Sequence, residues 1–355
     1  MGSGLDATRR PGMTAEVSAR KAIRGGHWLV PALLALVVLL ALASLTVGPA
    51  PIPFWTAAKA LVSDEGSASV IVRDIRLPRA LLAVLIGGTL GVTGAALQGL
   101  LRNPLADSTV FGAPQAAALG AVLVLYFGLA GALSFALPVA AILGALVSIA
   151  LVVAVAGREG STLVLVLAGL AVGSLAGAAT SLAISLSPNP FAVTEIVFWL
   201  LGSLEDRSMV HVWLSAPFLV VASTALLSVG PALRALSLGE ETAESLGVNV
   251  ARTRLLVVTA SAVGAGAAVA VAGAIGFVGL VAPHLVRPLV GHDPARTLLP
   301  AGLAGAALLT AADCAVRLIP SGVEVRIGVL TAVLGVPVFL WIIATRRSAL
   351  AEAPA

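Results

Sequence analysis

Charge is what this sequence has least of. Only 11% of its 355 residues are Asp, Glu, Lys or Arg, 59% are apolar, and the mean hydropathy is +1.07; this excludes an ordinary soluble globular domain. A single cysteine, Cys314, rules out a disulfide framework, and its place within an apolar run marks it as a small buried hydrophobe. No G-x-x-x-x-G-K-[ST] stretch occurs, so the chain has no phosphate-cradling loop and is not itself an ATPase. The four histidines, His27, His211, His284 and His292, are scattered. They form no cluster at metal-ligand spacing, and no serine or cysteine stands beside a base in a recognisable motif. The sequence therefore predicts no catalytic residue, no metal site and no cofactor of its own, and it offers nothing suited to nucleic acid.

What remains is a series of apolar runs that reach or approach the ~20 residues a helix needs to cross a bilayer. They are rich in Ala, Leu and Gly and lack the alternation of an outer-membrane barrel. The expected fold is an all-α integral membrane protein with about ten transmembrane helices, over 28–48, 80–101, 112–130, 133–156, 163–186, 211–229, 254–272, 275–291, 297–317 and 327–345. Residues 1–27 read as a flexible cytoplasmic tail, 28–345 as the membrane domain and 346–355 as a cytoplasmic C-terminal tail. With the N-terminus inside, 14 of the 21 basic residues, Arg158 among them, fall on the cytoplasmic side, which the positive-inside rule favours. Both termini are then cytoplasmic.

The basic residues on the other side are informative. Arg73, Arg76 and Arg79 recur every three residues before the second span, and Arg317 closes the ninth. They are either snorkelling anchors or a cluster of guanidinium forks able to meet carboxylates of a docking protein. Asp107, Glu195, Asp313 and Glu324 all fall near span ends, and Asp313 is placed to pair with Arg317 four residues on. That weakens an ion-driven transporter, which keeps an ionisable group at mid-membrane. The glycine spacing of "GGTLGVTG" (87–94) is similar to that of "GAIGFVG" (273–279), read here as close helix packing. A polar island, "LSLGEETAESLGVNVART" (236–253), interrupts the apolar pattern with three glutamates and two turn glycines.

Five stretches in order carry a family resemblance: "RLPRALLAVLIGGTLGVTGAALQGLLRNPLADSTVFG" (76–112), "FWLLGSLEDRS" (198–208), the polar island, "GAIGFVGLVAPHLVR" (273–287) and "IGVLTAVLGVPVFLW" (327–341). Together they resemble the iron-siderophore and cobalamin permease family of ATP-binding-cassette (ABC) importers, over about residues 28–345. The resemblance implies an ABC importer type II permease fold in the inner membrane. It also implies a second permease subunit, two ATPase subunits that bind ATP and magnesium, an extracytoplasmic binding protein and an iron-chelate cargo such as a ferric siderophore, with cobalamin or haem as alternatives. The island then matches the ATPase-coupling loop, with Leu238, Gly239, Glu240, Glu241, Ala243, Leu246, Gly247 and Val248 at its centre. Arg76, Arg79 and Arg317 match positions that meet the binding protein, and Ser161 and Thr162 match the inner gate, although Ser161 is equally suited to cap a helix. Where the family reads Pro, this chain has Arg326, which restores a backbone donor and adds a charge at the outer face. An ion-coupled transporter and a structural membrane scaffold are the readings from other classes.

Overall fold

The structure, a computed structural model, describes residues 11–63, 66–129, 135–157, 160–319 and 325–351. Among these residues every regular element is helical, as expected of a chain whose backbone polar groups must be satisfied within each membrane segment. In order they are α1 (Pro11–Thr46), α2 (Phe54–Ala60), α3 (Ser67–Val70), α4 (Leu77–Leu100), α5 (Ala113–Tyr126), α6 (Ala136–Ala156), α7 (Thr162–Ser185) and α8 (Pro190–Leu200). There follow α9 (Met209–Ser228), α10 (Gly230–Leu236), α11 (Glu240–Ser245), α12 (Val250–Ala272), α13 (Val278–Val286), α14 (Pro294–Leu318) and α15 (Ile327–Ala351). A wide π-helical turn, Ile71–Arg76, joins α3 to α4, so helix runs unbroken from Ser67 to Leu100.

Each of the ten expected spans meets a helix, and among the described residues seven helices are long and apolar enough to cross a bilayer. Two expected spans are shorter than the sequence suggests. The run 112–130 becomes the 14-residue α5. The run 275–291 is cut to α13, after which the chain tightens into a 3-10 turn over Arg287–Val290 that contains Pro288, a residue with no amide hydrogen to continue the ladder. The tails also differ from expectation: α1 already begins at Pro11, and α15 continues to Ala351. Pro11 suits a first helical turn, and no proline interrupts the chain between Ala344 and Ala351. Helix α8 was not foreseen; Asn189 caps it by accepting from the Phe191 amide at 3.0 Å. Glu324 and Arg158 lie outside the described residues.

Burial separates the centre of the bundle from its rim. In α4 and α12, 78% of the most apolar 18-residue window is buried, and in α14 67%, against 17–28% in α1, α6, α7 and α9. The central helices approach through glycine. A side-chain carbon on Gly87 would overlap the Gly305 carbonyl of α14, one on Gly91 the Ala301 carbonyl, and one on Gly94 the Gly279 carbonyl of α13. The two look-alike stretches thus end against each other, at Gly94 and Gly279, where close packing requires glycine.

Candidate coupling site and outer arginine cluster

The polar island folds into a compact hook. Helix α10 is anchored by Leu233 and Leu236, 0% and 2% exposed. It is tied to α14 by Arg234, whose guanidinium meets Asp293 at 2.7 Å. Asp293 in turn caps α14, accepting from the Ala295 amide at 2.9 Å. Gly239, at φ +117°, makes the corner before α11, and Gly247, at φ +84°, makes the one after it; both are left-handed positions that favour glycine. Ala243 is fully buried beneath α11, and its carbonyl accepts from the Val248 amide at 3.0 Å. Asn249 then caps α12 by accepting from the Arg252 amide at 2.8 Å.

The hook leaves a distinctive surface. Leu238 and Leu246, 64% and 62% exposed, flank α11 as two bare apolar side chains, while Glu240, Glu241 and Glu244 are exposed beside them. Apolar anchors within a polar rim are the composition of a protein contact surface. The expected loop residues therefore come together as one small, preformed knob. The expected gate residues sit nearby: Ser161 caps α7, its hydroxyl accepting from the Val164 amide at 3.4 Å, and Thr162 opens that helix. Arg254, which the sequence offered only as one more cytoplasmic charge, joins the two regions. Its fork donates to the Gly160 carbonyl at 2.8 Å and to Glu240 at 2.9 Å.

At the opposite end, Arg76, Arg79 and Arg317 do converge, but as buried groups rather than free forks. Arg79 pairs with Asp313 at 2.7 Å and Arg317 with the same carboxylate at 2.8 Å; Asp313 is fully buried. The expected Asp313–Arg317 pairing is present, and Arg79, 234 residues from Asp313 in sequence, is added to it. Arg317 also donates to the Ser44 and Val47 carbonyls, at 2.9 and 3.0 Å, and Arg76 donates to the Leu45 carbonyl at 2.9 Å. These are the C-terminal carbonyls of α1, where cations complement the helix dipole. The three arginines line a cavity of 460 Å³ together with Glu205 and Asp206. Arg73 lies on the π-helical turn, outside this set.

Arg326 extends the outer network. It pairs with Glu205 at 2.5 Å and lies 5.2 Å from the centre of the Phe198 ring, fastening the start of α15 to the loop after α8. Burial pushes the nearby Arg207 below its ordinary range, with Asp206 acting against this and Arg326 adding to it. Because Glu205 is about a third exposed, its pair with Arg326 is screened. Glu205→Gln is expected to lower stability by less than about 1 kcal/mol, with the difference shrinking in high salt. A loss well above that, in denaturation at low and high salt, would mean the pair is desolvated. Among the described residues no group of three His, Cys, Asp or Glu side chains could hold a metal ion.

The architecture and sequence match known proteins over most of the chain. The model of the FecCD transport family matches residues 35–345. A cobalamin import system permease protein of Halobacterium salinarum is 40% identical over 84% of this chain and 81% of its own. A hemin transport system permease protein of Yersinia pestis is 39% identical over 89% and 95%. An uncharacterized ABC transporter permease protein of Bacillus subtilis is 39% identical over 79% and 80%. A solved inward-facing ABC transporter, assigned to the metal-chelate type, superposes with a TM-score of 0.81 at 32% identity, covering 89% of this chain and 98% of its own. With a helical membrane bundle, no ATPase loop of its own and these matches, the chain belongs to the FecCD transport family, as a multi-pass permease subunit of an ABC importer whose ATPase is a separate subunit.

Proposed function

We propose that this permease carries a ferric siderophore or closely related iron chelate across the cytoplasmic membrane, with both termini inside. The observation that supports the cargo is the likeness, at TM-score 0.81, to a transporter assigned to the metal-chelate type. Cobalamin or haem is the second reading, favoured by relatives named for each at 40% and 39% identity. In this account an extracytoplasmic binding protein delivers the chelate to a pair of permease subunits. The platform held in place by Arg76, Arg79 and Arg317 receives it, so these arginines act on docking through the surface they support.

On the cytoplasmic side, two ATPase subunits receive the knob of Leu238, Gly239, Glu240, Glu241, Ala243, Leu246, Gly247 and Val248. Closing of the ATPase pair on ATP moves α11, and Ser161 and Thr162 at the start of α7 form part of the inner gate. ATP drives the change only because the two conformations hold it differently. Uptake of radiolabelled ferrichrome, haem and cyanocobalamin, compared in cells with and without the gene, tests the cargo. Loss of ferrichrome entry alone is the expected result. Loss of cyanocobalamin or haem entry with ferrichrome unaffected would replace the proposed cargo.

A further inference from the structure

The gate and the knob are far apart in sequence, and one side chain bridges them. Arg254 is rooted in the first turn of α12, a helix buried over most of its length. Its side chain is 8% exposed, and its two terminal nitrogens face different elements. One donates to the carbonyl of Gly160, the residue immediately before the cap of α7; the other donates to the carboxylate of Glu240, the first residue of α11. The Nε atom is buried with no hydrogen-bond partner, so what the arginine makes here is the fork. Glu240 is 52% exposed, which makes its end of the bridge the one that can open at little desolvation cost.

We infer that Arg254 is a positioning residue that clasps the gate loop to the coupling knob, so that displacement of α11 releases Gly160 and the start of α7. The inference rests on the functional reading above and adds to it the residue through which motion passes. A planar fork of fixed geometry suits the task, since both contacts are held by one rigid group and disturbance of one turns the other. Lysine, a single point charge on a flexible stem, cannot hold both partners in fixed relation.

The test uses the full complex, permease with its ATPase subunits and binding protein, in proteoliposomes. ATP hydrolysed is measured per molecule accumulated of whichever of ferrichrome, cyanocobalamin or haem the unsubstituted complex takes up. Arg254→Lys is expected to raise that ratio about tenfold while hydrolysis continues, within the range of measured couplings between sites; Glu240→Ala is expected to raise it in the same direction, with the amount of co-purified ATPase separating a broken bridge from weakened docking. Glu240→Gln, which keeps an acceptor oxygen at the same reach, falls between. The double variant should be no worse than Arg254→Lys alone, because both break one connection. A merely structural arginine would lower the amount of folded complex without changing the ratio. Glu240→Ala alters an exposed carboxylate, so it remains informative even if Arg254→Lys fails to fold. Unchanged ratios, or effects that multiply in the double variant, would overturn the inference. A complex in which the unsubstituted permease accumulates none of the three probes with ATP would overturn the functional reading, and the inference with it.

Discussion

Asp313→Asn should cost this permease about 3–5 kcal/mol of stability, the usual loss when one member of a buried ion network is neutralised and its partners remain. The carboxylate is fully buried and holds two guanidinium groups, Arg79 at 2.7 Å and Arg317 at 2.8 Å, with side chains 7% and 4% exposed. Asparagine preserves shape but leaves both cations without their counter-charge, and neither can leave easily. Arg317 is also fixed to the carbonyls of Ser44 and Val47. The end of α1 should therefore loosen together with α14. The contrast with Glu205→Gln is informative, because there the same chemical change acts on a partly exposed pair. Denaturation of purified permease in mixed micelles measures both. Equal, small losses would show that the Arg79–Asp313–Arg317 network is solvated.

Gly94→Ala should cost about 3 kcal/mol, through sterics alone. The added methyl group would overlap the backbone of Gly279, carbonyl oxygen and carbon together, and neither α4 nor α13 can withdraw without giving up its neighbouring contacts. Overpacking of a tight core costs typically ~1–3 kcal/mol and occasionally more; backbone against backbone belongs at the upper end. Gly88→Ala, six residues earlier in the same helix, supplies the comparison. Its nearest neighbour would be the Gly302 carbonyl at 3.7 Å, an ordinary contact. There the gain in helix propensity, up to about 1 kcal/mol, should appear unopposed. The same denaturation measurement ranks the two. If both glycines accept alanine alike, the α4–α13 approach is looser than the structure has it.

The helices were legible because each span carries its own signal of length and hydropathy. The hook at 236–253 was legible as a polar interruption bracketed by Gly239 and Gly247, and both glycines do take left-handed conformations. The i,i+4 relation of Asp313 and Arg317 is local and could be read directly. What was hidden depends on which helices become neighbours. Arg79 reaches Asp313 across 234 residues, and periodicity within a helix says nothing about its partner. The same reason conceals the Arg254 bridge to Gly160, 94 residues away. The arginines read as snorkelling anchors or docking forks turned inward because the carbonyl end of α1 and a buried carboxylate offered closer partners. Helix α8 escaped notice because 11 residues are too few to read as a span, although the Asn189–Pro190 pair is a start signal that could have revealed it.

The central claim is that the knob around α11 delivers the work of a separate ATPase to this bundle. Leu238 and Leu246 are its exposed apolar anchors, so Leu238→Glu/Leu246→Glu should abolish ATPase docking without disturbing the fold beneath. The decisive measurement is ATP-driven cargo accumulation in proteoliposomes, made together with co-purification of the ATPase. The account predicts that the double variant folds, loses the ATPase and accumulates nothing. Accumulation that persists without any ATPase and collapses with the proton gradient would contradict it.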